Sequence, residues 1–299
     1  MKTVDTGARI ALKNILFLTD FSEPSEAALP FAVAIAREFG ATVHALHVLL
    51  PEPYVYGAPD TTAIAIEAQE ENAQAEIQRV EAQLTGVPHD VALAREVGVW
   101  PALEQAIAGC GADMIVLGTH GRTGAQKLLL GSVAEEIFRR SRVPVLTIGP
   151  RAHNGIHGGA QFHNVLFATD FTQDSLAAVP YAISFAQEHQ ARLILLHVTR
   201  TSDSQVDFRQ RERSAAETMH ELHELVPKDA ELWCRAEAVV EYGETAARIL
   251  EAAKERNADL IVIGVRNAAG HLGAATHLDR SVAHKIVAHA HCPVLTVRA

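Results

Sequence analysis

The segment GTHGRTGAQKLLLGS, residues 118–132, gathers residue types that can hold a phosphate. Gly118, Gly121 and Gly131 let a backbone approach a ligand closely and turn where a Cβ would clash. Ser132-Val-Ala-Glu135 has the pattern of a capping box, so the segment runs into a helix N-terminus, whose N–H groups and dipole favour anions. His120, Arg122 and Lys127 add donors. The segment is not a Walker loop, because no Gly-Lys-Ser/Thr closes it, and it is not Gly-x-Gly-x-x-Gly. On glycine spacing alone, a plain glycine-rich turn before a capped helix fits equally well. A second stretch, Thr19-Asp20 at the end of NILFLTDF, offers a carboxylate where a buried strand stops. Such a group accepts from ribose hydroxyls or lies near an exocyclic amine, or else serves as a solvated turn residue.

These stretches sit on elements that occur twice. NILFLTDF at 14–21 returns as NVLFATDF at 164–171, with six of eight letters kept at an offset of 150, half of the 299-residue chain. Ala27-Ala28 and Pro30 answer Ala177-Ala178 and Pro180, and Leu46-His47-Val48 answers Leu196-His197-Val198. The offset then drifts: Ala112-Asp113 answers Ala258-Asp259, and Pro144-Val-Leu-Thr147 answers Pro293-Val-Leu-Thr296. Drifting offsets mean loops of unequal length between persistent elements. A period this long is a duplicated domain, not a solenoid. The expected division is 1–150 and 162–299, with RAHNGIHGGAQ, 151–161, as linker.

Within the first copy, apolar runs alternate with helical spacing. Strands are expected over 14–19, 42–50, 90–98, 113–118 and 143–149, and helices over 22–40, 61–86, 101–111 and 132–141. This alternation predicts α/β architecture: two tandem domains, each a five-stranded parallel open sheet with helices on both faces. In such sheets ligands bind at the carboxyl ends of the strands, where strand order switches. That places Asp20 and residues 118–132 at one crevice.

Composition narrows the partners. With 26 Lys and Arg against 36 Asp and Glu, the net charge is −10, which disfavours a phosphate backbone at long range and so excludes nucleic acid. Cys110, Cys234 and Cys292 have no C-x-x-C spacing and read as reduced thiols, suiting a cytoplasmic location. MKTVDTGARIALK lacks the apolar core of a secretory signal, and no apolar run approaches the ~20 residues that span a bilayer. His220-x-x-His223 shares one helix face, and five histidines crowd residues 271–291, but no ligand spacing makes a metal site specific.

Taken together, the residues resemble the universal stress proteins in their tandem two-domain form. The likeness covers nearly the whole chain. Gly118-x-x-Gly121, nine residues, Gly131-Ser132 matches that family's ATP-binding signature without a gap, and TDFSEPSEAAL is a family-like opening. The resemblance implies a bound adenine nucleotide, ATP or a relative, and a Mg²⁺ on its phosphates would be chemically ordinary. It implies that Thr19, Asp20 and the backbone at Val48 face adenine and ribose, and that Gly98 lines the crevice. By the same likeness Gly118, His120, Gly121, Arg122, Gly131, Ser132 and Val133 hold the phosphates. It also implies a regulator of stress responses with slow ATP hydrolysis at most.

The second copy keeps Thr169-Asp170, Val198 and Gly264 but then reads GVRNAAGHLGAATHLDRS. Asn267 stands where Gly121 was, Arg280 where Gly131 was, and Ser281 answers Ser132. A long side chain at Arg280 occupies ground the backbone would need to touch phosphate, so this site is expected to be degenerate, with Asp170 retained as a helix cap. No catalytic residue is expected; His120 is the only candidate base for a hydrolase. The remaining alternative is a ligand-free interaction scaffold. The apolar last strands, VPVLTIG and CPVLTV, are expected at sheet edges, which are pairing surfaces; the resemblance implies that these strands pair two domains, here within the chain as an intramolecular pseudo-dimer, with other surface left for a homodimer.

Overall fold

In the computed structural model the described residues are 10–50, 59–119, 130–152, 161–199, 208–228, 234–266 and 281–299, with backbone only at 59–65 and 208–211. The first half runs β1 (Asn14–Leu18), α1 (Glu23–Glu26), α2 (Leu29–Phe39), β2 (Thr42–Leu49), α3 (Pro59–Gln83), β3 (His89–Arg95), α4 (Val99–Cys110), β4 (Met114–Gly118), α5 (Ser132–Arg140) and β5 (Val145–Ile148). The second repeats it as β6 (Asn164–Ala168), α6 (Gln173–Leu176), α7 (Val179–Glu188), β7 (Arg192–Thr199), α8 (Phe208–Glu224), β8 (Ala236–Tyr242), α9 (Thr245–Glu255), β9 (Leu260–Val265), α10 (Val282–His289) and β10 (Val294–Arg298).

The strands form one sheet in the order β3-β2-β1-β4-β5-β10-β9-β6-β7-β8. Every pairing within a half is parallel. Strand order reverses between β1 and β4, and again between β6 and β9, which opens one crevice per half at the strand C-termini. The halves join where β5 and β10 pair antiparallel, Thr147 opposite Val294 and Val145 opposite Thr296. The Thr147 hydroxyl donates to Val294 O (3.1 Å) and the Thr296 hydroxyl to Val145 O (3.2 Å). The expected edges are thereby consumed inside the chain.

Strand alternation sorts the core into two layers. Ile15 and Phe17 face one side with α2 and α3; Leu16 and Leu18 face the other with Trp100 of α4 and Ile137 and Phe138 of α5. The duplicated Ala-Asp pair also has a structural task. Asp113 Oδ2 accepts from the N–H groups of Lys13 (2.8 Å) and Asn14 (3.0 Å), and Asp259 Oδ2 from those of His163 (2.8 Å) and Asn164 (2.9 Å). Each aspartate fastens the start of one central strand to its neighbour.

The helix expected over 22–40 is two helices. Pro30 has no N–H to bond Glu26 O, and its ring crowds that carbonyl, so α1 stops at Glu26 and a new helix starts at Leu29 with Pro30 in its first turn. Pro180 does the same after Leu176.

Helices α2 and α7 carry aromatic residues that link the halves. Phe31 lies 6.2 Å from Phe162, and Phe39 lies 5.5 Å from Phe185, centroid to centroid. His189 packs edge-on against Phe162 at 4.9 Å, and its buried Nε2 has no hydrogen-bond partner among the described residues. At an offset of 150, the first half fills this place with Phe39. Burial is the main influence on His189 and lowers its pKa; Glu38 of α2 and Glu188 oppose that, and His163 adds to it. A folded-state pKa below the ordinary 6.5 means that the unfolded chain takes up the proton first. Stability is therefore full above about pH 6.5 and falls as pH drops from there toward the folded-state value. His189→Phe should stabilise the protein by roughly 1 kcal/mol at neutral pH, the cost of an orphaned buried group, and by more in acid. Urea unfolding at pH 7.5 and pH 5 checks this; a variant whose advantage does not grow at pH 5 contradicts it.

Candidate functional site

The crevice of the first half begins where β1 ends. Thr19 is buried, and its N–H donates to Leu46 O at 3.0 Å, extending the ladder one residue past the strand. Its hydroxyl lies 3.1 Å from the Ser25 hydroxyl and accepts the Phe21 N–H at 3.0 Å. Asp20 Oδ1 accepts from the N–H (3.1 Å) and hydroxyl (2.5 Å) of Ser22, and Ser22 caps α1. The chain thus turns through an Asx turn into a capped helix. Phe21 pays the conformational cost, with φ at 60° in the left-handed region that side chains disfavour.

Two residues absent from the sequence-based site hold this turn. His47 is buried, and its Nδ1 lies 2.8 Å from Thr19 O; a carbonyl only accepts, so Nδ1 carries the proton. The Phe21 and His47 rings lie 4.2 Å apart, tilted by 30°. The second half reproduces the set: Thr169 with Ser175 and Phe171, Asp170 with Thr172, His197 Nδ1 with Thr169 O at 2.9 Å, and Phe171 at φ 60°. The repeated Phe and His were the signal, since a retained contact needs both partners. Asp170 is not itself the helix cap; Thr172 is, and Asp170 holds Thr172. Burial opposes ionisation of Asp170, but hydrogen bonds from Thr172 and Ser175 and the Arg266 charge hold its carboxyl below the usual range.

Gly118 closes β4 against α1. A Cβ there would sit 2.5 Å from Pro24 O, so the glycine allows helix and strand to touch. Gly264 shows the same approach, with a Cβ 2.1 Å from Asp174 O. Both glycines have a packing reason that needs no ligand, which explains why Gly264 survives in the copy without the signature. Gly98 differs. Its backbone is extended, and a Cβ would meet only Pro101 Cδ at an ordinary 3.5 Å.

The start of α5 separates the halves further. Ser132 does not cap it. The helix starts at Ser132 as expected, but its cap is Gly131, whose N–H donates to Thr119 O at 2.7 Å and which makes no side-chain cap bond. The bond ties the helix start to the residue after β4, and a glycine cap offers no side chain to the first-turn N–H groups. In the second half Ser281 does cap α10, its hydroxyl accepting the His284 N–H at 3.1 Å. At α9 the cap is Glu244, where Gly98 caps α4; its carboxylate accepts the Ala247 N–H at 2.7 Å and meets Lys285 Nζ of α10 at 3.1 Å. The Ala247 N–H first, then Lys285, lowers the Glu244 pKa. The second crevice therefore carries its own anion at one helix start and its own hydroxyl cap at the other.

Val48 and Val198 are equivalent strand residues, half-buried against the α4/α9 layer. Leu50, Val97 and Val133 stand at the C-terminal strand edge of the first half as exposed apolar side chains, Val97 at 89%. His120, Gly121, Arg122, Lys127, Asn267 and Arg280 lie outside the described residues, as does most of the expected linker, 153–160. Of the first-half set, the structure brings Asp20, Gly118, Gly131, Ser132 and Val133 to the β1/β4 crevice; Gly98 and Val48 flank it beside β2, and the Thr19 side chain turns inward.

These features define a duplicated, doubly wound α/β protein with unequal strand-end crevices. The chain belongs to the universal stress protein family, whose profile matches residues 11–149 and again 161–298. A universal stress protein of Mycolicibacterium smegmatis is 28% identical across 95% of this chain and 97% of its own. Universal stress protein MJ0531 of Methanocaldococcus jannaschii is 34% identical across 46% of this chain and 81% of its own. The crystal structure of a universal stress protein from Archaeoglobus fulgidus shares the fold, with a TM-score of 0.69 at 22% identity over 95% of this chain and 98% of that one.

If packing is what fixes the strand-end glycines, Gly118→Ala and Gly264→Ala should each destabilise the protein by about 3 kcal/mol, because backbone, not a flexible side chain, is struck. Chemical denaturation measures both. A neutral Gly264→Ala would return that glycine to a ligand role.

Proposed function

We propose that the first half binds one adenine nucleotide and that the protein acts as a nucleotide-dependent regulator. The start of α5 carries this reading. It is a helix N-terminus without a side-chain cap, tied to the end of β4 through Gly131, and it opens on the crevice that Asp20 borders. Such an end suits phosphate. The signature spacing at 118–132, in a chain of this family, supports ATP or a relative as the ligand, with Mg²⁺ on its phosphates. In this reading His120, Gly121 and Arg122 join Gly131, Ser132 and Val133 on the phosphates, and Asp20 and Val48 face ribose and adenine. Gly98, which packing does not require, gives the ligand room. The second half, with Glu244, Ser281 and the long side chain at Arg280, stays unloaded. Regulation requires no catalytic base. Three free cysteines fit a reducing cytoplasm.

One observation favours a ligand-free scaffold instead: the Thr-Asp turn is built alike in both halves, so its retention needs no ligand. Denaturing the purified protein and counting released nucleotide by mass spectrometry and absorbance separates the two. One adenine nucleotide per chain supports the regulator with an unloaded second half; two would refute that asymmetry. None, together with no binding of added ATP and Mg²⁺, leaves the scaffold. Gly131→Arg, which copies the second half, should weaken ATP binding by ~100-fold or more, about 3 kcal/mol for a lost phosphate seat. Unchanged affinity would remove Gly131 from the site.

A further inference from the structure

Helix α5 is held at its far end by the other half of the chain. Among the last carbonyls of α5, which lack intrahelical partners, Ile137 O takes the Ser141 N–H. Phe138 O takes a terminal N–H of Arg298, from β10. The other terminal nitrogen of Arg298 donates to Arg266 O at 2.7 Å, and the guanidinium carbon stands 5.9 Å from the centre of the Phe138 ring. Arg266 directly follows β9, at the edge of the second crevice. The antiparallel pairing of β5 and β10 makes this reach possible, because it sets the end of β10 beside the start of β5, just after α5. A cation at a helix C-terminus is also favoured by the helix dipole.

The arrangement is one-sided. At the offset of 149 that relates β5 to β10, Arg298 answers Gly149. A Cβ on Gly149 would come within 3.7 Å of Ala290 O and 3.9 Å of Val287 O, at the end of α10, so the position faces the same helix end but has no side chain to bond it. The helix with the uncapped, phosphate-suited start is therefore the one clamped from across the halves. Its partner α10, capped by Ser281, has no arginine there.

We propose that Arg298 is a positioning residue for the first-half nucleotide site, fixing α5 from the second half so that its first turn is set before the ligand arrives. This rests on the nucleotide reading above. It gives the second half a task other than binding: its last strand completes a site it does not contain. A lysine keeps the charge but lacks the planar fork whose two terminal nitrogens each hold one carbonyl here.

The test uses the full chain with Arg298→Gly, which copies the first half, Arg298→Lys, and Leu222→Ala as a control that destabilises the opposite core layer, where Leu222 is fully buried. Hydrogen exchange of the α5 amides is read without ligand, and ATP with Mg²⁺ is titrated calorimetrically. Arg298→Gly should speed exchange across 132–140 and weaken ATP binding about tenfold, with Arg298→Lys between it and the wild type. Leu222→Ala should lower the melting temperature and move neither. Unchanged α5 exchange in Arg298→Gly overturns the clamp. Faster exchange with unchanged affinity, or an equal affinity loss in Leu222→Ala, overturns the positioning role. A wild-type chain that binds no adenine nucleotide sinks the proposed function and the positioning role together, while α5 exchange still shows whether the clamp exists.

Discussion

The antiparallel pairing of β5 with β10 is the interaction on which the rest of the architecture depends. Each half alone would leave an apolar last strand at a sheet edge, with unpaired backbone groups and a template for aggregation. Pairing Leu146 with Leu295, flanked by two threonines that donate across the seam, closes both edges at once. It turns two five-stranded sheets into one sheet of ten, and Phe31 and Phe39 of α2 meet Phe162, just before β6, and Phe185 of α7. The seam also brings the end of each half's last strand to the end of the other half's last helix. Duplication alone would give two independent copies; duplication with this seam gives two copies that contribute to each other.

Two constraints then set the crevices, and they act separately. The first is steric. The short helices α1 and α6 lie so close to β4 and β9 that only glycine fits at 118 and 264. The second is the turn from Thr19 to Ser22, where a buried threonine, an Asx turn and a left-handed phenylalanine against a histidine fix the strand end. Both constraints are met alike in the two halves. What differs lies at the helix starts facing the crevice: glycine caps at 98 and 131 in the first half, Glu244 and Ser281 in the second. The exposed Glu244–Lys285 pair adds little stability, as surface ion pairs do. Its consequence is positional, because it puts a carboxylate on the start of α9, where the first half has a glycine.

The fold was legible because its signals are local and repeated. Alternating apolar runs and helical spacing gave the elements, and two drifting offsets showed which loops could vary while NILFLT, LHV and PVLT could not. The break between α1 and α2 was written in Pro30 and Pro180, but helical periodicity runs through both and masks it. The site was legible only in part. A glycine in a signature does not reveal whether it serves ligand or packing; Gly118 serves packing, and only the 2.5 Å approach of Pro24 O shows it. Ser132 carries a good capping sequence, yet it is the first helical residue and the cap falls on Gly131, whose N–H bonds Thr119 O. Glu244 and Arg298 were invisible for another reason. Each acts through a partner in a distant stretch, Lys285 and Phe138, and spacing cannot show such pairs.

That distinction bears on how the two halves of a duplicated domain diverge at their crevices without losing the fold. The residues common to both halves are those that the fold itself consumes: the strand-end glycines, the Thr-Asp turn, the aspartates that tie β1 to β4 and β6 to β9. The residues that differ sit where a side chain can be added without touching the core. Gly98 tolerates a Cβ at 3.5 Å, so the equivalent cap was free to become glutamate. A Cβ on Gly149 would meet the end of α10 only at ordinary contact distance, 3.7 Å from Ala290 O, and its counterpart is an arginine that reaches into the other half. Substitution at such positions is cheap for stability and decisive for which helix start stays open. The asymmetry of the two crevices therefore follows from where the fold has slack.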